Sequence, residues 1–310
     1  MRILVLGAGG IGGYYGARIQ QAGGDVTFLV RPARAAQLKE KGLQVFSAFG
    51  DLQITPKVVI KEELRNHFDV IMLSCKAYDL DSAMVAIAPA VGEHSVILPL
   101  LNGISHVDAL VARFGAERVL GGVALISVML APTGEIRHLN KMHRLVTGSL
   151  SAQPCRWLDP LAQLFSRAGF DFVLSPAIEQ AMWDKIVFLS TLAGATCTLR
   201  ASIGHILDTV AGEAFINGLL AECARVAASS GHAVAETQLT TYRTQLTEKG
   251  SGLVASMLRD VEKGGPTEAD HILGDMIGRA QAKGADVPLL RLAYSHLQAY
   301  DLRRKAVMAS

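Results

Sequence analysis

Residues 2–23 read RILVLGAGGIGGYYGARIQQAG. The opening RILVL is almost wholly apolar, as a parallel strand buried on both faces must be. Gly7, Gly9 and Gly12 follow it in GxGxxG spacing, and a helical pattern runs on from the last of them. Each glycine has its own reason. Gly7 allows the tight turn, Gly9 lets the main chain approach a pyrophosphate, and Gly12 lets the helix pack closely on the strand. The helix start then offers N–H groups and a favourable dipole to phosphates. Strand, turn and helix in this order point to a dinucleotide, with Gly7, Ala8, Gly9, Gly10, Ile11 and Gly12 as the cofactor loop. The bland alternative is a glycine-rich turn kept for packing alone.

Working outward, DVTFLV, DVIMLSC and SVILPL are further apolar runs, separated by helical stretches such as LDSAMVAIAPAV. This alternation predicts an α/β fold with a doubly wound, Rossmann-type sheet. RVLGGVALISVMLA, EIRHL and RLVTGS are strand-like without helices between them, and are expected to extend that sheet antiparallel at one edge. After about Ser175 the chain turns rich in alanine and leucine, with breaks at SSGHA, EKGSG, KGGP and KGADVP. The expected domains are therefore residues 1–175, binding the dinucleotide, and an all-helical 176–310 carrying substrate and catalysis.

Composition narrows the class. With 310 residues, 50% hydrophobic and 19% charged, there is material for two cores. A net charge of +2 and no basic tract argue against nucleic acid. The four cysteines (Cys75, Cys155, Cys197 and Cys223) form no CxxC pair, which suits a reducing cytosol rather than a disulfide framework or zinc site. Nine histidines are scattered without an HExxH-like cluster, so no metal is expected. The longest uncharged runs fall short of the roughly 18 residues a spanning helix needs. These features predict a soluble cytoplasmic protein with a small-molecule partner. Oligomeric state is not fixed, although the alanine-rich helices offer a face for a homodimer.

The type of dinucleotide follows from DVTFLV. An NAD site usually carries Asp or Glu after this second strand. Here RPAR follows, so Arg31 stands where the acid would be and Arg34 comes three residues later. A guanidinium binds a 2′-phosphate that a carboxylate would repel, so NADPH is the expected cofactor. Arg34 is as readily a solvated charge as a contact. Lys76 follows the strand DVIMLSC and Asn102 follows SVILPL, both at strand carboxyl ends where such sheets bind ligands. Their bland alternatives are a solvated loop lysine and Asn-Gly turn chemistry.

In the helical half, MWDKIVFLSTLAGATC (182–197) holds Asp184 and Lys185 and then no charge until Arg200. Either this is a core helix with a charged start, with Lys185 paired to Asp184, or Lys185 points into a pocket. The motifs GAGGIGG, RPAR, CKAYD, LNGI, WDKI and SMLRDVEKGGPTEAD, in this order over essentially the whole chain, resemble the ketopantoate reductase (2-dehydropantoate 2-reductase) family. The resemblance implies reduction of a 2-oxo acid with NADPH, 2-dehydropantoate to pantoate on the route to coenzyme A. It implies Lys185 as general acid at the start of its helix, and Lys76 and Asn102 on the nicotinamide side. It implies Ser256 as a substrate-holding serine and Glu268 at the junction of cofactor and substrate. Burial lowers a lysine pKa, and a carboxylate such as Glu268 limits that shift.

One departure stands out. Leu189 and Ala193, one and two helical turns beyond Lys185, replace asparagines of the family pattern. A greasier wall suits a more apolar 2-oxo acid and leaves the reaction type intact. Ser190 and Thr191, the nearby hydroxyls, point elsewhere on an ideal helix. Ser256 also reads as a serine bonding its own helix, and Glu268 as a first-turn acid capped by Thr267. Other readings are a paralogue acting on a different ketone or hydroxy acid, and a non-catalytic NADPH sensor. Hydroxyacyl-CoA and phosphogluconate dehydrogenases share the two-domain plan but not the combination of NGI with SMLRD…TEAD.

Overall fold

A strand as apolar as β1 (Arg2–Leu6) needs cover on both faces, and in the computed structural model it has it. The structure describes residues 1–309, with side chains through Val307; Ser310, the end of the second expected domain, lies outside them. From β1 the chain runs through α1 (Gly10–Gln21), β2 (Asp25–Leu29), α2 (Pro32–Lys41), β3 (Leu43–Phe46), β4 (Leu52–Ile54) and β5 (Lys57–Val59). It continues with β6 (Phe68–Leu73), α3 (Leu80–Ile87), β7 (Val91–Pro99) and α4 (Ser105–Phe114). Then come β8 (Leu120–Leu130), β9 (Ile136–Ser149), α5 (Leu158–Phe165) and β10 (Asp171–Leu174).

The first sheet is parallel, in the order β5-β2-β1-β6-β7. Ile3 and Val5 face one core with Tyr14, Tyr15 and Ile19, while Leu4 faces the other with Ile71, Leu80 and Ile87. This period of two, apolar on both sides, is why the strand shows no polar alternation. The chain leaves β1 towards β2 and later returns to β6 on the opposite side, so the sheet's order reverses between β1 and β6. Ligands of doubly wound sheets bind at such a point, beyond the strand carboxyl ends.

The run from 119 onward corrects the expectation of an antiparallel extension. β8 and β9 pair antiparallel, Leu120 opposite Ser149 and Leu130 opposite Ile136, and belong to a second sheet. β9 is 14 residues long, enough to carry β3 beside its start and β10 beside its end. The reason lies in α1, which is buried at every position from Gly12 to Ile19. A helix stretch buried on every side needs cover on every side, and the second sheet supplies it opposite the first. A Cβ on Gly13 would lie 2.2 Å from Ile136 Cδ1 of β9.

The rest is helical, as expected: α6 (Ile178–Leu199), α7 (Ile203–Leu207), α8 (Gly212–Ser229), α9 (Glu236–Leu246) and α10 (Ser256–Glu262), then α11 (Asp275–Ala282) and α12 (Pro288–Ala309). A π-helical stretch, Asp270–Gly274, leads into α11. The buried Glu222 of α8 accepts the N–H groups of Leu289 (3.1 Å) and Leu290 (2.8 Å), satisfying the start of α12. The chain divides into two compact units, Met1–Asn102 with His106–Glu179, and Gly103–Ser105 with the residues from Gln180 onward. Among the described residues no helix is long and apolar enough to cross a membrane.

Candidate active site

In the first unit the glycine loop is held by main-chain bonds. Gly7 has φ +91°, a conformation strained for any side chain, and its N–H donates to Leu29 O at 2.9 Å. Gly12 is jammed: a Cβ there would lie 2.1 Å from Ser74 Oγ and 2.3 Å from Gly7 O. Gly9 is the opposite case, with nothing within 4 Å of where its Cβ would be. One glycine is thus required by packing and another leaves room for a visitor. The first-turn N–H groups of α1 have no partner within the helix, which suits a phosphate at that place.

The two arginines after β2 take different parts. Arg34 donates to Ala8 O from Nε (3.2 Å) and Nη2 (2.9 Å), to Gly134 O from Nη1 (2.9 Å), and to Gln37 Oε1. Its guanidinium therefore clamps the glycine loop from behind, and burial pulls its pKa down. Arg31 precedes Pro32 at the start of α2, is largely exposed, and donates from Nη2 to Asp79 Oδ2 at 3.1 Å. Lys76, half-buried, follows β6 and its carbonyl accepts Asp79 N–H at 2.9 Å. Asn102, also half-buried, follows β7; Leu100 N–H donates to Leu73 O at 2.8 Å, which carries the β6–β7 pairing past the strand ends. The loop, Arg31, Lys76 and Asn102 all leave the same carboxyl edge of the sheet.

In the second unit Lys185 is the eighth residue of α6 and not its start. The helix begins at Ile178, inside IEQAM, whose single acid gives little sign of a boundary. Lys185 is half-buried, and burial pushes its amine down to about 8 against the opposing pull of the Glu268 carboxylate. Asp184 does not pull on it in the same way. Its carboxylate accepts Gln180 Nε2 at 2.8 Å and burial raises its pKa, while its carbonyl accepts Tyr242 Oη–H at 2.9 Å. Glu268 is 5% exposed and lies immediately before the helical stretch, with its carbonyl accepting Ile272 N–H at 3.0 Å. It therefore caps the helix with its backbone rather than sitting in the first turn. Thr267 Oγ1 accepts Ala269 N–H at 3.4 Å and donates to the Asp301 carboxylate.

Ser256 is the exposed first residue of α10. Ala255 before it donates its N–H to Thr196 Oγ1 of α6 at 3.3 Å, which docks this start on the lysine's helix. Leu189 is half-buried and Ala193 is buried. Ser190 and Thr191 are buried too; Thr191 Oγ1 donates to Val187 O at 2.8 Å. Sequence reasoning passed over Asp79 and Ser74. Ser74 lies one position before CKAYD and donates to Leu6 O at 2.9 Å, and a residue so close to a recognised motif was the available signal. Among the described residues no group of three or more His, Cys, Asp or Glu could hold a metal.

Comparison with known proteins adds to this geometry. Residues 3–152 match the family model "Ketopantoate reductase PanE/ApbA", and residues 177–301 match the model of its C-terminal domain. The chain is 36% identical to the uncharacterized oxidoreductase YkpB of Bacillus subtilis (strain 168), over 98% of this chain and 100% of the relative. The crystal structure of 2-dehydropantoate 2-reductase from Geobacter metallireducens GS-15 superposes with a TM-score of 0.88 at 28% identity, covering 96% of this chain and 99% of that one. The same fold occurs in D-mandelate dehydrogenase, solved with NADH and anilino(oxo)acetate, at a TM-score of 0.88 and 21% identity, over 98% of this chain and 100% of that one.

Proposed function

The chain belongs to the ketopantoate reductase PanE/ApbA family, and we propose that it is an NADPH-dependent reductase of a 2-oxo acid. Its favoured substrate is 2-dehydropantoate, reduced to pantoate, in the cytoplasm. The observation that carries the proton-donor role is Lys185 itself, half-buried on the apolar helix α6 with the charge of the buried Glu268 acting on it; burial pushes its amine down to about 8.

The cofactor's fit rests on the glycines. Open space at Gly9, a helix N-terminus behind it and exposed Arg31 beyond β2 suit a phosphorylated dinucleotide. Lys76 and Asn102 would hold its nicotinamide half. When bound, the cofactor supplies a hydride to the ketone carbon. Lys185 donates a hydrogen bond to the carbonyl oxygen, stabilises the negative charge that builds there, and then gives up its proton. At pH 7 an amine with a pKa near 8 is still about nine-tenths protonated, yet it releases its proton more easily than an exposed lysine. Glu268 keeps the amine from losing its charge altogether, and Ser256 is the proposed substrate hydroxyl.

Lys185→Ala is expected to lower kcat by about 10²–10⁴-fold while leaving the affinity for NADPH unchanged. Stopped turnover with intact binding would support the assignment; undiminished turnover would remove Lys185 from the chemistry. In the wild type, the rate of ketone reduction should fall as pH rises through about 8, where the amine loses its proton. A second reading has its own observation: Leu189 and the buried Ala193 on the lysine's helix favour a more apolar 2-oxo acid. A panel of 2-oxo acids, with NADPH oxidation followed at 340 nm, separates the two.

A further inference from the structure

Asp79 stands at the head of α3, where an aspartate ordinarily turns its carboxylate onto the first helical N–H groups. Here it makes no such cap. Its N–H donates to Lys76 O at 2.9 Å, its carbonyl accepts Ser82 Oγ at 2.8 Å, and its carboxylate accepts from Arg31 at 3.1 Å. β2 and β6 flank β1, so this ion pair spans the edge from which the glycine loop leaves. Of the two arginines after β2, Arg34 is committed to Ala8, Gly134 and Gln37. Arg31, 81% exposed, is the guanidinium presented to a ligand, and it already holds a carboxylate.

We propose that Asp79 is a specificity-determining residue for the cofactor, competing with the 2′-phosphate for Arg31 and so weakening discrimination between NADPH and NADH. This rests on the proposed dinucleotide site. A phosphate that binds the same guanidinium must displace the carboxylate or share the fork with it, and like charges so close repel. A ribose carrying only hydroxyls meets no such repulsion and can donate to the carboxylate, as it does to the acid of an ordinary NAD site. Arg31 and Asp79 therefore pull in opposite directions, and the net preference is smaller than Arg31 alone would give.

The probes are adenosine 2′,5′-bisphosphate and adenosine 5′-monophosphate, which differ by the 2′-phosphate alone. Their affinities are measured by calorimetry at low salt for the wild type, Asp79→Asn, Arg31→Ala and the double variant. Asp79→Asn is expected to raise the ratio of the two affinities by about fivefold, the upper range for an exposed ion pair. Arg31→Ala is expected to remove the 2′-phosphate preference and, with it, the effect of Asp79→Asn. A wild type that prefers the bisphosphate by the same ratio as Asp79→Asn overturns the role of Asp79 and leaves the NADPH reading standing. A wild type without preference that gains one in Asp79→Asn supports Asp79 and overturns NADPH specificity. No preference in either protein overturns both.

Discussion

The proposed dinucleotide site at the start of α1 is backbone shaped by glycines; the proposed proton donor on α6 is one amine, tuned by burial and by Glu268. The first arrangement depends on what is missing from Gly7, Gly9 and Gly12, the second on what Lys185 carries. A backbone site breaks when a side chain is added, and a side-chain site when one is taken away. The two also differ in their relation to stability. The glycine loop is part of the packing of α1 against β1, whereas a half-buried ammonium works against the fold that holds it.

The largest stability effect is expected at Gly12. Gly12→Ala places a methyl 2.1 Å from Ser74 Oγ and 2.3 Å from Gly7 O. The second of these is main chain and cannot swing aside. Such overpacking costs on the order of 3 kcal/mol, seen as a lower denaturation midpoint together with lost NADPH binding. Gly9→Ala is the matched control, since its methyl meets nothing within 4 Å. It should keep the wild-type midpoint and lose affinity for the dinucleotide alone. Equal destabilisation by both would mean that the loop is a packing device throughout and would break the contrast at its backbone end.

The lysine end predicts the opposite sign. In the folded chain burial pushes the Lys185 amine down to about 8 from its ordinary 10.5. Its charged form is thus disfavoured by folding. Below pH 8 the amine is charged in both states and its burial costs stability; between 8 and 10.5 the folded form has shed its proton and the cost shrinks; above 10.5 it is gone. Lys185→Met should therefore raise stability at pH 7, by at most roughly 3 kcal/mol for a shift of this size, while lowering kcat as Lys185→Ala does. Melting temperatures from pH 6 to 10.5 check it, because the variant's advantage must fade across that window. A destabilised Lys185→Met at pH 7 would show that the amine's contacts outweigh its desolvation.

The same contrast explains what could be read from the sequence. The shape of the glycine loop was legible because its reasons are local: the turn at Gly7, the crowding at Gly12 and a helix start lie within six positions. The strands of the second sheet were visible in part, but their sheet was not. β8 and β9 are strand-like in composition, yet nothing local says that α1 needs a second cover, or that β9 is long enough to seat β3 and β10 on one side. β3 and β4 have four and three residues, with polar Gln44 and Gln53 in their middles, too short for a periodicity. Lys185 was singled out by the uncharged run after it, while its depth in α6 was misjudged because the nearly two turns before it, from Ile178, have no clear cap. Arg34 and Asp79 are surface-type residues whose roles depend on partners 26, 100 and 48 positions away, distances no local pattern spans.

The smallest expected effect sharpens the side-chain end. Leu189 sits one turn beyond Lys185 on the same helical face and is half-buried. Leu189→Asn supplies an amide at modest cost, since the position is not sealed in the core; Ala193 is buried and a larger residue there would strain α6. If the lining of α6 sets the substrate, Leu189→Asn should shift kcat/KM towards 2-dehydropantoate over an apolar 2-oxo acid by about tenfold, the low end for one side chain in a binding pocket. The affinity for NADPH should stay where it was, because the glycine loop does not depend on that side chain. An unchanged substrate ratio would take Leu189 out of the substrate's surroundings and leave Ser256 as the proposed substrate contact. A change in cofactor affinity would mean that the two sites are not independent, and the division between a backbone-built and a side-chain-built site would have to be given up.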